Sequence, residues 1–451
     1  MTRRNSGLSD EARTGLLGRV QAGQAAKTAA PQASSPSRAT DFTTLPGFDE
    51  LDIQRKFAET FGIGSPFFRV HEGRAGAETT IEGRSYLNFS SYDYLGLNAH
   101  PEVAAAAKAA IDRYGTSSSA SRLVAGERPI HRELEGAIAA HYATEDSVVM
   151  VGGHATNVGV IGHLLGPKDL FVHDAMIHNS ALMGGMLSRA ERRGFPHNDL
   201  DALEGILAAS RKRHARVLIV AEGLYSMDGD VPDLGRLIEI KQRYDAWLMI
   251  DEAHALGVLG KKGRGVADHF GIEPTSVDIW MGTLSKTLAG AGGYIAGPRT
   301  LIDYLKFTAG AFVYSVGLPP PIAAAAHKAL ELLHREPERV ERLQRNGAYF
   351  VETARKLGLD TGTGIGSAIV PVITGDSILA VLLAQALFKR GINCLPIIPP
   401  AVPPRGSRLR FFLTSEHTEE QIKRALEATA EELPKLESSK SLLAKAAQFQ
   451  G

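Results

Sequence analysis

Apolar and polar positions change rhythm several times along the chain. From about residue 96, stretches of helical period alternate with short continuous apolar runs. "PEVAAAAKAAIDRYG" and "RPIHRELEGAIAAHYA" place their apolar residues at helical spacing, while "SVVMVGG", "DLFVHD", "VLIVAEG", "WLMIDEA" and "DIWMG" read as buried strands. Such alternation predicts an α/β domain built on a mostly parallel sheet. Upstream, "LDIQRKFAETFG" (51–62) has helical spacing, and "ETTIEGRSYLNFS" (78–90) predicts two strands joined at a turn carrying Gly83. Downstream, residues 320–358 form one long helical pattern, broken near Pro337. A smaller α+β unit closes the chain, with strands "AIVPVIT" and "RLRFFLT" and helices "ILAVLLAQALFKRG" and "TEEQIKRALEATAEEL".

The ends lack these rhythms. Residues 1–45, with "AAPQASSPSRAT" at 29–40, can bury little and read as a disordered tail holding one candidate helix at 9–22. The expected organisation is a tail at 1–45, an N-terminal arm at 46–95, a large domain at 96–325, a small domain at 326–438 and a frayed end at 439–451. Composition narrows the class. Lysine plus arginine equals aspartate plus glutamate, 50 each, which argues against a nucleic-acid or membrane-surface protein. Cys394 is the single cysteine, so no internal disulfide is expected. Neither an apolar run of membrane-spanning length nor the apolar core of a secretory signal is visible, and the expected address is the cytoplasm. The acid-poor, arginine-bearing tail also matches a transit peptide in composition.

Open α/β sheets bind ligands beyond the carboxyl ends of their strands. Acid, imidazole, hydroxyl and amine groups gather there: "GGHATN" (152–157), "AMIHNS" (175–180), "LYSMDGD" (224–230), "DEAHALG" (251–257) and "TLSK" (283–286). Asp251 ends an apolar run, as a helix cap or as partner to a buried cation, and His254 three residues on faces the same place. Lys286 stands alone in "DIWMGTLSKTLAGAGGYIAG", as a helix-start lysine or as a buried amine whose lowered pKa makes it a nucleophile. An amine bound to a carbonyl cofactor needs an acid for the ring nitrogen, donors for a phosphate and a flat group over the ring. The chain offers Asp251 for the first, Thr283, Ser285 and the Gly152–Gly153 amides for the second, and His178 or His154 for the third.

These residues carry a resemblance. From about residue 48 to 435 the sequence resembles the α-oxoamine synthases, fold-type I enzymes dependent on pyridoxal phosphate (PLP), through "NFSSYDYLGL", "GTSSSASRLVAGERPIHRELEGAIA", "IHNSALMGG", "EGLYSMDGDVPDL", "DEAHALGVLGKKGRG", "GTLSKTLAGAGGYIAG" and "SRLRFFLTSEHT". "SPFFRVHEG" and "HDAMIHNS" look closest to members that work with polyketide synthases or acyl carrier proteins. The resemblance implies a seven-stranded, mostly parallel sheet and a homodimer with its active site at the interface. It implies a decarboxylative condensation of serine, glycine or alanine with an acyl thioester of CoA or a carrier protein, in lipid, sphingolipid or secondary-metabolite synthesis. Lys286 would hold PLP covalently and then move protons at the substrate's α-carbon. Asp251 would pair with the ring nitrogen, His178 stack on the ring, and Ser226 and His254 bond near its phenolic oxygen. Thr283 and the amides of Gly153 and His154 would hold the phosphate, and Arg410 the amino acid's carboxylate. No metal is implied.

Several positions depart from the family pattern. Tyr92-Asp93-Tyr94 stands before "LGL", so Tyr92 and Asp93 are expected to shape contacts to the amino acid. Ser315-Val316-Gly317 replaces a Ser-Thr-Ser run, leaving Ser315 as the residue to reach a phosphate across the dimer. Ala255 replaces a serine or glycine, and "PPAVPP" (399–404) resembles a mobile loop of serine palmitoyltransferase. "TGTGIGSA" (361–368) imitates a dinucleotide loop, but a strand rather than a helix follows it. "GKKGRG" (260–265) reads as a solvated loop. Two rival readings are an aminotransferase on the same fold, which His254 disfavours, and a non-catalytic synthase subunit, which Lys286 and Asp251 disfavour.

Overall fold

All five apolar runs read as strands do enter one sheet. The structure, a computed structural model, describes residues 40–49, 51–52, 55–56 and 65–448. Its strands are β1 (Glu78–Ile81), β2 (Arg84–Asn88), β3 (Asp146–Met150), β4 (Leu170–Asp174), β5 (Glu191–Phe195), β6 (Val217–Glu222), β7 (Trp247–Asp251), β8 (Ile279–Thr283), β9 (Gly293–Gly297), β10 (Ile369–Ile373), β11 (Ile392–Asn393), β12 (Leu395–Ile397) and β13 (Arg408–Phe412). The main sheet has the order β3-β9-β8-β7-β6-β4-β5, and β9 alone runs against its neighbours. Alternate residues feed two cores. Val149, Val172, Ile219, Ile250 and Trp280 pack on one face, and Val148, Phe171, Leu218, Met249 and Met281 on the other. A sheet covered on both faces explains why its strands read as apolar runs rather than alternations.

The longer helices are α1 (Pro101–Tyr114), α2 (Pro129–His141), α3 (Gly153–Leu164), α4 (Asn179–Ser188), α5 (Leu200–Ser210), α6 (Leu234–Arg243), α7 (Arg299–Thr308), α8 (Pro320–Arg335), α9 (Glu338–Lys356), α10 (Ser377–Lys389) and α11 (Glu419–Gln448). The break expected near Pro337 separates α8 from α9. The last helix continues to Gln448, past the frayed end expected from 439, because "SLLAKAAQ" is made of good helix formers added to an existing helix. A second, antiparallel sheet has the order β10-β13-β12, and the hairpin β1–β2 expected around Gly83 gains a parallel third strand, β11. The glycine loop at 361–368 binds no helix start. Ile365 N–H donates to Gly229 O, and Thr363 Oγ1 donates to Asp230.

The chain divides into two units, Met1–Gly64 and Ser65–Gly451. In the first, a 3₁₀ turn at Phe42–Thr44 is capped by Asp41, which accepts the Thr43 N–H, and Lys56 pairs with Asp52 at 2.6 Å. The candidate helix at 9–22, and most of that at 51–62, lie outside the described residues. Among the described residues no helix is long and apolar enough to cross a membrane.

Candidate active site

The carboxyl ends of β6, β7 and β8 and the starts of α3 and α4 enclose a cavity of about 400 Å³. Strand direction brings Glu222, Asp251 and Thr283 to the same edge, and the turn after β8 carries Lys286 back over it. Eleven of the candidate residues line this space: Tyr92, Gly153, His154, His178, Ser226, Asp251, His254, Thr283, Ser285, Lys286 and Arg410.

Asp251 is buried, and both its oxygens are held. Oδ1 accepts the Ala253 N–H at 3.0 Å and Oδ2 accepts the Asn157 amide at 2.8 Å. Lys286 Nζ lies 5.7 Å from the Tyr92 ring centroid. Burial lowers its pKa to about 8, against the opposing pull of Asp251 and Glu222, so about a tenth of the amine is neutral at pH 7 and about half at pH 8. His254 Nδ1 lies 2.7 Å from the hydroxyl of fully buried Tyr94, and burial holds its pKa well below the usual range, so the ring is neutral. His178 caps α4. Its Nδ1 accepts the Ser180 N–H at 3.2 Å, which leaves the proton on Nε2. Arg410 Nη1 donates to Ser226 O at 2.8 Å, and its Nε is buried without a partner.

One end of the cavity is an anion cradle. α3 starts on Gly152 without a side-chain cap, which leaves its first N–H groups to a ligand. A Cβ on Gly153 would stand 3.0 Å from Thr283 Oγ1, and one on Gly293 would stand 2.8 Å from Gly153 Cα. The glycines of "AGAGGY" therefore let β9 approach the start of α3 this closely. Thr283 Oγ1 lies 2.7 Å from Ser285 Oγ and donates to Gly292 O at 2.9 Å.

An aminotransferase class I and II model matches residues 84–428. The 8-amino-7-oxononanoate synthase of Bacillus pumilus is 39% identical, over 81% of this chain and 92% of that protein. The one of Methylobacterium sp. is 40% identical, over 84% and 92%. The serine palmitoyltransferase of Sphingomonas wittichii superposes with a TM-score of 0.84 at 30% identity, covering 88% of this chain and 99% of its own. That of S. paucimobilis, solved with a bound PLP–myriocin aldimine, has the same TM-score. The chain belongs to the α-oxoamine synthase family. Its fold is that of the fold-type I enzymes, and its cofactor is PLP. Like other α-oxoamine synthases, it joins an amino acid to an acyl group taken from a thioester, with loss of carbon dioxide. The residues present fit that cofactor. The cradle offers donors to a phosphate, Lys286 offers an amine with a lowered pKa, and Asp251 offers a carboxylate already supported on both oxygens.

Two candidates lie elsewhere. Asp93 does not reach the cavity; its carboxylate accepts the N–H groups of Leu97 (2.9 Å) and Asn98 (3.2 Å), closing the turn of "YDYLGL". Ser315 is half-buried, donates its hydroxyl to Val316 O at 3.3 Å, and does not line the cavity of its own chain. Conversely, Asn157, Ser180, Glu222 and Met227 line the cavity without having been singled out, and Tyr94 supports it from behind. Glu222 carried a readable signal, since it ends "VLIVAE" as Asp251 ends "WLMID". Asn157 carried none, being one polar residue inside a helix.

Proposed function

We propose that this α-oxoamine synthase makes an α-amino ketone from a small amino acid (serine, glycine or alanine) and an acyl thioester of CoA or an acyl carrier protein. The observation that carries it is the gathering of Lys286, Asp251, His178 and Arg410 around one cavity of about 400 Å³, near the small end of ligand pockets (roughly 300–1,000 Å³). Bound PLP supplies an electron sink for negative charge at the amino acid's α-carbon. In this reading Lys286 Nζ takes the α-proton and returns one after decarboxylation. Arg410 binds the carboxylate through the guanidinium edge that carries its unpartnered Nε. Asp251 faces the ring nitrogen, His178 covers the ring, and Ser226 and His254 bond near its phenolic oxygen. The α3 amides of Gly153 and His154, with Thr283, take the phosphate. Tyr92, exposed at the mouth, meets the substrates. The working form is a homodimer in which Ser315 serves the second copy's cavity, the domains divide at about residue 325, and the address is the cytoplasm.

The test supplies each of the three amino acids with a series of acyl thioesters and follows free thiol and carbon dioxide together. One amino acid is expected to give both in equal amounts, and Lys286→Ala neither. If no combination gives both, or if amino groups pass to 2-oxo acids instead, the reading falls.

A further inference from the structure

β6 and β7 lie parallel, and Glu222 stands opposite Asp251 in their register. Paired positions on neighbouring strands are about 5 Å apart, with side chains on one face. Both residues are buried and both line the cavity. Their surroundings differ. Asp251 has a donor on each oxygen, whereas Glu222 takes the Ser226 N–H on Oε2 at 3.1 Å, with the His178 backbone facing it as well. Among the described residues, nothing donates a hydrogen bond to buried Glu222 Oε1 within the usual geometry. An ionised oxygen left without a donor is costly, while a protonated one becomes a donor itself. Two close carboxyl groups in a dry wall hold a proton between them.

The charges that face Glu222 do not remove this need. Asp251 faces it from β7, Lys286 from the turn after β8, the backbone of His178 from the start of α4, and Tyr225 from its own loop. Arg410, on β13, is engaged with the carbonyl of Ser226. Among the described residues, Lys286 is the cation that acts on Glu222, set against two carboxyl groups.

We propose that Glu222 is a positioning residue, held as a neutral carboxylic acid so that the negative charge of the wall stays on Asp251. Burial, then the charge of Asp251, raise its pKa to about 8, which agrees with this arrangement. The inference rests on the reading of Asp251 as partner to the cofactor's ring nitrogen, and it adds a residue that keeps that partner ionised.

Infrared difference spectra of wild type against Glu222→Gln test it in apoenzyme and holoenzyme. Wild type is expected to show the carbonyl stretch of a protonated carboxyl group at pH 6.5. That band should disappear as pH rises through about 8, and be absent from E222Q. Glu252 and Asp93, whose carboxyls are also raised, cancel in the difference. In holoenzyme, E222Q should keep turnover within about threefold at neutral pH and lose any shift of the cofactor absorption near pH 8. Glu222→Ala should lose roughly tenfold or more. No difference band at pH 6.5, or E222Q as damaged as E222A, would overturn the proposal. Should E222Q fail to fold, Glu252→Gln carrying carboxyl-labelled glutamate decides, because Glu252 would otherwise give a band of the same kind. A labelled protonated band that vanishes above pH 8 supports the proposal, and none below pH 8 sinks it. A band present in a chain that binds no PLP would sink the earlier reading of Asp251 instead.

Discussion

Lys286 makes its chemistry measurable without substrate. An ordinary lysine amine titrates near 10.5, and this one is lowered to about 8. The rate at which apoenzyme takes up PLP should therefore rise with pH and level off above about 8, rather than climbing on towards 10.5. Stopped-flow absorbance measures it, and a rate still rising steeply between pH 9 and 10.5 would contradict the lowered value. Tyr94 offers a second check. Its hydroxyl is fully buried and 2.7 Å from His254 Nδ1. Tyr94→Phe removes one partner of a buried hydrogen bond, which costs about 1–2 kcal/mol of stability. It should lower kcat more than it raises the amino acid's KM, because His254 loses its support while Arg410 keeps its own. Steady-state kinetics beside a denaturant curve separate the two. Lys286, Asp251 and His254 were legible in the sequence because each follows a short apolar strand. Asp93 stood out as a departure from the family pattern, and what the sequence did not show is that two backbone N–H groups occupy its carboxylate away from the cavity.

Among elements, α3 and α4 cross so closely that glycine is required between them. A Cβ on Gly184 would meet Asn157 O and Ile161 Cβ, each at 2.8 Å. Gly184→Val should cost about 1–3 kcal/mol through overpacking and weaken PLP binding, since α4 carries His178 and α3 carries Asn157. A thermal scan and a cofactor titration follow the two effects. His197 ties the end of β4 to the loop after β6, with Nδ1 2.9 Å from Asp174 and Nε2 3.1 Å from Asp230. Burial opposes its charge, but the two carboxylates outweigh that and raise its pKa to about 10. A raised pKa stabilises the fold fully below the unfolded value of 6.5, and the contribution is lost as pH rises towards 10. Because solvent reaches part of the ring, we expect about 2 kcal/mol from it at pH 6. His197→Ala should remove that amount at pH 6 and much less at pH 10, read from urea unfolding at both. The five strands of the main sheet with apolar runs were readable, and two were not. β5 is "ERRGF", an edge strand whose charges block further pairing. β9 is "GYIAG", whose glycines imitate a loop; the start of α3 leaves Gly293 no space for a side chain, and a Cβ on Gly297 would meet Asp278 O at 2.9 Å.

At the scale of the whole molecule, the cavity of one chain is open where a cofactor needs cover. His154, His178 and Tyr92 are exposed on its outer side. His154 also borders an apolar groove lined by Val158, Gly159, Gly162, Leu187 and Ala311. Exposed Met186, Leu187, Tyr314 and Val316 add apolar surface, and Ser315 sits between the last two. Apolar surface of this kind marks an interaction face, and a twofold dimer would carry each Ser315 towards the other copy. Two inactive chains then test it together. Lys286→Ala lacks the amine, and Ser315→Trp blocks the neighbouring cavity while keeping its own Lys286. In a mixed dimer one cavity has both faults and the other has none. Random pairing gives half mixed dimers with one good site of two, so co-expression should restore about a quarter of the wild-type activity per chain. Activity no higher than the mean of the two variants alone would show that Ser315 serves no second cavity. Sedimentation of the mixture would tell whether the dimer itself had formed.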